Sequence, residues 1–197
     1  PVNQVLTPYG RQVELAGLRP QALALSPDGK RLLVSGKTSE VLVIDVDEAK
    51  VVQRVALPGE EQREPPTVVS PNILHPDKKG QVSYTGLIFS HDGRRVYLSN
   101  VDGSIKVFTA GEDGAILPSH VFRLPDADAP RRKAEIPSGL ALSEDDSRLY
   151  VCGNLSNKLL ELNTADGAVL RSWDVGVAPY DVALTGGRAF VSNWGGR

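Results

Sequence analysis

Four segments of this 197-residue chain repeat one pattern, in which a short apolar strand, a tight polar turn and a second apolar strand follow one another. The turn reads Ser-Pro-Asp-Gly at residues 26–29 and Ser-His-Asp-Gly at residues 90–93, and its glycine supplies the positive φ of a hairpin turn. The hydroxyl residues that open the four turns are Ser26, Ser90, Ser143 and Thr185. Their successive spacings are 64, 53 and 42 residues. The shortest spacing matches the roughly 40–45 residues of a four-stranded propeller blade, and the longer two predict blades with insertions.

The remainder of each repeat supplies two further strands. A third strand is predicted at residues 41–44, 105–108 and 159–162, and it is nearly all apolar, as a strand buried between packed blades should be. The fourth strands, such as 51–57, are expected to alternate apolar and polar residues, which is typical of an outer edge. The 19 glycines and 14 prolines also favour a turn-rich β protein. We therefore predict an all-β fold, a β-propeller of four-stranded blades.

The strand count predicts about three and a half blades. The predicted units are an outer closing strand at 11–15, a blade at 19–57, an insertion at 58–83, a blade at 84–124, an insertion at 125–136, a blade at 137–175 and a half blade at 179–193. Three and a half blades cannot close into a ring, and two apolar blade faces would stay in water. We expect a further polypeptide to complete the propeller, either the remainder of the same protein or a second copy.

The motif Ser26-Pro27-Asp28-Gly29-Lys30, followed by a third strand that ends in Ile44-Asp45, resembles the YVTN-repeat, YncE-like β-propellers over nearly the whole chain. The resemblance implies a bacterial protein with a seven-bladed propeller, often followed by a phosphoesterase domain of the alkaline-phosphatase type. WD40 repeats are less similar, because they carry Trp-Asp at the end of the third strand, whereas Trp173-Asp174 falls in a fourth strand here.

Composition excludes several classes of function. The formal net charge of −2 provides no basic surface for nucleic acid, so no nucleic-acid partner is expected. No apolar run reaches the roughly 18 residues of a membrane span. A single cysteine cannot form an internal disulfide. The sequence contains no methionine, which predicts a processed or excised chain, and together with the resemblance this favours an exported, periplasmic or extracellular protein.

Both insertions fall in connections between a fourth strand and the next first strand, so we expect them on one face of the ring, called here the channel face. The residues that begin first strands or end second strands should lie on the same face and are the candidates for binding a small-molecule or protein ligand. They are Arg19, Gln21, Lys37, Tyr84, Asn100, Asn154, Tyr180, Asp181, Asn193 and Trp194. The three asparagines favour a structural role in the turns. Trp194 is either a packing residue or a surface on which a ligand stacks.

The sequence carries no recognisable catalytic motif, and no catalytic residue, metal site or cofactor is expected. His75, His91 and His120 fall in an insertion, a first-to-second-strand turn and a fourth strand, so they should not converge. Cys152 ends a second strand and is expected to be a buried small hydrophobe.

Three functional hypotheses remain. The leading one is a non-catalytic scaffold or binding module within a larger exported protein, coupled to a phosphoesterase domain that holds any hydrolase activity. The second is a propeller hydrolase, similar to a lactonase or a phytase, with Asp181 as the best inward carboxylate. The third is a cell-surface adhesion module.

Overall fold

The computed structural model describes residues 9–73, 75–127 and 129–195, and within them every regular element is a β-strand. The fourteen strands form three four-stranded antiparallel sheets and one two-stranded sheet, each in simple sequence order. No helix in the described ranges is long and apolar enough to cross a membrane. The fold class predicted from the repeat is confirmed.

The strands follow the predicted repeat closely. Blade 1 consists of β1 to β4, at Pro20–Leu25, Arg31–Gly36, Glu40–Asp45 and Lys50–Ala56. Blade 2 consists of β5 to β8, at Val82–Phe89, Arg95–Asn100, Ser104–Ala110 and Ile116–Arg123. Blade 3 consists of β9 to β12, at Pro137–Leu142, Arg148–Gly153, Lys158–Asn163 and Val169–Asp174. The half blade consists of β13 and β14, at Pro179–Thr185 and Arg188–Asn193. Trp173 and Asp174 lie in a fourth strand, as predicted.

Apolar side chains fill the space between successive blades. One buried cluster joins blades 1 and 2 and includes Leu33, Val43 and Phe108. A second joins blades 2 and 3 and includes Tyr97 and Leu149. A smaller third cluster joins blade 3 to the half blade. Burial of these facing surfaces is the main driving force that stacks the blades.

The repeated Ser-x-Asp motif builds the turn between the first two strands of each full blade. The serine Oγ donates to the aspartate two residues later at 2.5 Å for Ser26, 2.6 Å for Ser90 and 2.6 Å for Ser143. The same Oγ accepts the backbone N–H at the start of the second strand, for example that of Arg95 at 2.9 Å. In blade 3, hydrogen bonds from Ser143 and Ser147 lower the pKa of Asp145 to about 2. The motif is therefore a structural one.

Asp146 departs from the repeat and fastens blade 3 to blade 2. It occupies the turn position that is glycine in blades 1 and 2, and it keeps the positive φ, at 56°. Its Oδ1 accepts the backbone N–H of His91 at 3.0 Å and lies 2.6 Å from Nδ1 of the same residue. Its Oδ2 accepts the N–H of Asp92 at 3.2 Å. Three polar contacts thus offset the strain of a left-handed conformation in a non-glycine residue.

We predict that Asp146→Ala destabilises the chain by about 1–3 kcal/mol, because the strain stays while the contacts to His91 and Asp92 are lost. Asp146→Gly should cost less, since glycine adopts the positive φ without strain. Urea unfolding followed by circular dichroism measures both. Glu144→Ala, in the same turn and exposed, is the matched control and should leave stability unchanged. Equal stability of the Asp146→Ala protein and the parent would contradict the role of Asp146 in fastening blade 3 to blade 2.

Two expectations about edges are corrected by the structure. Residues 11–15, predicted as an outer closing strand, form no strand; Val13 and Leu15 instead pack against the open face of blade 1. They cover Val34, Leu42 and Ile44, which have no preceding blade in the described residues against which to pack.

The fourth strand β8 is buried along most of its length rather than alternating between buried and exposed residues. The first insertion is the reason: Val121 in β8 donates its N–H to the carbonyl of Gln62 at 2.6 Å.

Candidate functional site

The two insertions meet at the loop between β6 and β7. The first insertion, residues 57–81, places Glu60 3.4 Å from Ser104 Oγ at the start of β7. The second, residues 124–136, places Arg132 on the carbonyl of Val101 and the backbone of Glu135 close to Gly103. Residue 74 of the first insertion and residue 128 of the second lie outside the described part of the chain. Glu60, Arg132 and Glu135 therefore bring both insertions to the β6–β7 end of blade 2, the channel face, as their positions in the repeat predicted, while Gln62 of the first insertion lies against β8.

A fully buried lysine fastens the first insertion to blade 2. Lys106, in β7, has no exposed surface, and its Nζ donates to Glu60 Oε1 at 2.7 Å and to Asp77 Oδ2 at 2.9 Å. Arg123 adds an ion pair to the other oxygen of Glu60 at 3.0 Å. Both carboxylates come from the insertion, while both cations come from blade 2. The insertion is thus held by charge pairs that burial makes costly to break.

Asp102 brings a third carboxylate to this cluster. Ligand oxygens of Glu60, Asp77 and Asp102 lie within 4.8 Å of one another, a spacing that could hold a cation. The Lys106 ammonium already neutralises two of them. Burial is the main cause that raises the pKa of Asp102, and the nearby charge of Glu60 adds to it. The cluster is an ion-pair network in which the ammonium group of Lys106 supplies the positive charge that a metal ion would otherwise supply.

We predict that Lys106→Met destabilises the protein by about 3 kcal/mol or more, because the partly buried Asp77 loses its counter-ion and Glu60 keeps only Arg123. The first insertion should also become susceptible to protease, which limited digestion with mass spectrometry detects. Lys158→Met removes an exposed ion pair with Asp174 and should cost less than about 1 kcal/mol. If both variants lose the same stability, the buried pairs do not hold the insertion.

Glu135 fastens the second insertion in a different way. Its side chain is 1% exposed. It accepts backbone N–H groups from Ile136 and Leu155 at 2.8 Å and from Ser156 at 3.2 Å. The carboxylate is thereby satisfied by the turn between β10 and β11 rather than by a cation. This contact ties the second insertion to blade 3.

The structure distributes the predicted ligand-binding residues unevenly. Arg19, Lys37, Asp181, Asn193 and Trp194 are exposed, and Gln21, Asn154 and Tyr180 are half-buried. The side chain of Tyr84 lies outside the described part of the chain.

The structure corrects the prediction that Asn100 is a ligand-binding residue, because Asn100 is fully buried. Its Oδ1 accepts the N–H of Gln81 at 3.0 Å, so a ligand cannot reach it. The asparagines also do not all share one blade position. Asn193 pairs with Pro179 as Gly153 pairs with Pro137, which places Asn154 one residue further along. Asn154 donates its Nδ2 to the carbonyl of Pro179 at 3.2 Å, which supports the structural role expected for it.

Two of these residues form an aromatic stack at the channel face. The rings of Tyr180 and Trp194 lie nearly parallel, at 8°, with centroids 5.1 Å apart. The backbone N–H of Trp194 donates to the carbonyl of Ala178 at 2.9 Å, which fixes the indole beside the start of β13. Trp194 is 73% exposed, so packing accounts for only one face of its ring.

The histidines and the cysteine lie apart, as the sequence predicted. His75 is exposed in the first insertion, His91 contacts Asp146, and His120 is buried in β8 beside Ser119. Burial lowers the pKa of His120 to about 4, with a smaller effect from Arg95. Cys152 is fully buried in β10, and burial raises its pKa to about 12. Cys152 is therefore a thiol at neutral pH and packs as a small hydrophobe.

We predict a pH-dependent loss of stability through His120. Between its ordinary pKa of 6.5 and about 4, the unfolded chain binds a proton at this residue that the folded chain excludes. The stabilisation of the folded chain by neutral His120 is complete above pH 6.5. It is lost as the pH falls from 6.5 to about 4. From pH 7 to pH 4.5 the parent should lose about 2 kcal/mol more unfolding free energy than His120→Gln. His75→Gln, at an exposed site, should follow the parent; parallel curves for all three would contradict this assignment.

Comparison with known proteins shows the fold. No family model matches the sequence, and no curated protein matches it. The chain is similar to the solved structure of Kuenenia stuttgartiensis hydrazine synthase, with a TM-score of 0.67 and 13% identity over 94% of this chain and 58% of that one. It is also similar to a Lactobacillus plantarum protein, with a TM-score of 0.64 and 20% identity over 91% of this chain and 50% of that one.

The WD40 repeats of RRP9 are similar too, with a TM-score of 0.63 and 16% identity over 87% of this chain and 44% of that one. The chain therefore has a β-propeller fold. It spans about half the length of the structures that it resembles.

Sequence reasoning missed the residues that fasten the insertions: Glu60, Asp77, Lys106 and Glu135. One signal was present for Lys106, since it is the only charge in the otherwise apolar third strand at 105–108. A charge at such a position requires a buried partner. Its partners lie 46 and 29 residues away, in a segment without periodicity, so the sequence offered no means of naming them.

Proposed function

We propose that this chain is a non-catalytic scaffold and binding module that supplies about half of a propeller. The observation that carries the proposal is the structural use of its buried and partly buried acids. Glu161 pairs with Arg171 on the neighbouring strand at 2.7 Å. Glu135 accepts backbone N–H groups, and Glu60 and Asp77 bind Lys106. The last three acids fasten the two insertions to the blades, which supports a channel face built to hold a ligand.

The finer identity that we propose is the propeller part of an exported, YncE-like bacterial protein with a phosphoesterase domain elsewhere. The support is the Ser26–Lys30 turn motif and the third strand that ends in Ile44-Asp45. The turn carries the hydrogen bonds described above, and Asp45 pairs with Arg31 across two strands. These contacts explain why the motif residues occur together in a blade.

The partner that we propose is further polypeptide of the same protein, which completes the ring. On β1, Leu23 and Leu25 are 61% and 56% exposed and point away from blade 2. At the opposite end, Phe190 and Trp173 are 55% and 40% exposed. Large apolar side chains on two outer blade faces are typical of surfaces that other polypeptide covers. The matched part covers only 44% and 58% of the similar structures, which supports a proposal of further blades.

A propeller hydrolase is the second candidate, and Asp181 is the observation that favours it. This exposed carboxylate lies in β13, next to the first strand of blade 3. It accepts the N–H of Val182 at 2.9 Å, and among the described residues it forms no ion pair. The Oγ of Ser192 in β14 accepts the backbone N–H of Asp181 at 3.1 Å, so a hydroxyl group lies beside this residue.

The proposal is tested by sedimentation velocity and thermal melts of the chain produced alone. Exposed blade faces should make the 21.1 kDa chain self-associate, and the double variant Leu23→Glu/Phe190→Glu should reduce the association. Val68→Glu is the control, because Val68 is exposed on the first insertion and not on a blade face. If the parent chain is monomeric and unfolds in one cooperative transition, the result contradicts the proposal that further polypeptide completes the ring. Hydrolysis of p-nitrophenyl phosphate or a lactone, lost in Asp181→Ala, would favour the hydrolase.

A further inference from the structure

The Tyr180–Trp194 stack has an internal comparison within the repeat. The residue after the second strand is Lys37 in blade 1, Val101 in blade 2 and Asn154 in blade 3, and Trp194 occupies that position in the half blade. Blades 1 and 2 are each followed by a full blade and blade 3 by the half blade, yet Lys37 is exposed and Val101 and Asn154 are half-buried. A following blade therefore does not bury this position completely. Part of the Trp194 surface stays accessible at this position of the repeat when another blade follows.

The indole is held rigidly enough to serve as a surface. Its backbone is fixed by the N–H of Trp194 on Ala178, and Gly195 donates to Val177 at 3.0 Å. Ala178 itself has a positive φ of 52°, which the hydrogen bond from its N–H to Asn157 Oδ1 at 2.9 Å supports. One ring face lies on Tyr180, and the indole remains 73% exposed. A pre-formed aromatic surface loses little entropy when a ligand stacks on it.

Amide side chains surround this surface. Asn154 and Asn157 each use one amide atom on the segment 178–179, and Asn193 directly precedes Trp194. In the described part of the chain, Asn154 Oδ1 and Asn157 Nδ2 have no hydrogen-bond partner within the protein. All three side chains are half-buried or exposed. The site therefore offers both acceptors and donors without charge.

We propose that this site, formed by Trp194, Tyr180, Asn154, Asn157 and Asn193, binds a neutral sugar ring. The C–H groups on the flat side of a sugar stack on an indole, while its hydroxyl groups both donate and accept, as amides do. A cationic peptide is the alternative, since the exposed Asp181 carboxylate directly follows Tyr180 and, among the described residues, only its Oδ1 accepts a hydrogen bond, from the N–H of Val182 at 2.9 Å. The sugar is favoured because the amide atoms of Asn154 and Asn157 offer both an acceptor and a donor, and a cation has no use for the donor. The inference rests on the proposed binding function and names its ligand class.

The two tryptophans of the chain allow a direct test. In Trp173→Phe, Trp194 is the only indole, and its fluorescence should shift when cellobiose, maltose or N,N′-diacetylchitobiose is titrated, with a Kd of about 1–10 mM for at least one of them. In Trp194→Phe, the remaining Trp173 should show no shift. By isothermal calorimetry, Trp194→Ala should weaken binding about tenfold or more, while Trp173→Ala should leave it unchanged.

Absence of any shift with all three sugars, or binding that survives Trp194→Ala, overturns the inference. A tri-lysine peptide and a neutral peptide of equal length form the second arm of the titration. A response of Trp194 to a peptide and to no sugar would sustain a binding module while rejecting its sugar specificity. The self-association test proposed above changes Leu23 and Phe190 and not Trp194, so that test of the propeller can succeed or fail separately.

Discussion

Adjacent blades touch backbone to backbone at their first strands, and this close approach is the constraint on which the rest of the structure depends. A Cβ on Gly86 would overlap Ser99 Oγ and the carbonyl of Ser138 in the next blade. A Cβ on Gly139 would overlap Asp181 in the half blade. In place of side chains, hydroxyl groups bridge the strands, since Ser99 donates to the carbonyl of Ser138 at 2.7 Å and Ser138 to that of Pro179 at 2.8 Å. The blades can therefore stack at only one spacing and one register.

This fixed spacing explains why the insertions can be fastened by single charges. Lys106 and Glu135 make hydrogen bonds of 2.7–3.2 Å to residues 20–46 positions away in sequence, which requires that both sides be held in place. A buried charge with imperfect partners would cost more than it contributes. The rigid blades supply the geometry that these pairs need. In return, the pairs keep the insertions over β8 and the β6–β7 loop, where they exclude water from the apolar core beneath.

The sequence predicts the blades well, because each blade is built from residues that lie close together in the sequence. Strands, turns and their order follow from patterns within about 40 residues, and Gly29 and Gly93 mark hairpins by their own chemistry. The candidate site was predicted only in part. Trp194 and Tyr180 were found because the repeat places them, whereas the burial of Asn100 depends on Gln81, which the first insertion carries back to it. Residues 11–15 were predicted as the outer closing strand of a blade, but a strand needs a hydrogen-bonding partner, and Val13 and Leu15 pack against an apolar face instead.

The two ends of the half ring differ in how much apolar surface they leave uncovered. At the first end, Val13, Leu15 and Leu18 pack against the middle strands β2 and β3 of blade 1, so that Leu42 is fully buried. Leu23 and Leu25 of β1 and Val52 of β4 remain exposed. At the second end nothing described covers β12 to β14, and all of β12 is exposed. At about 25 cal/mol per Å² of apolar surface, polypeptide that docks at the second end gains hydrophobic energy without displacing anything. Polypeptide that docks at the first end must either accept residues 13–18 as part of its interface or replace contacts that they already make. The second end is therefore where completion of the ring gains most, and it is also the end that carries the Tyr180–Trp194 stack.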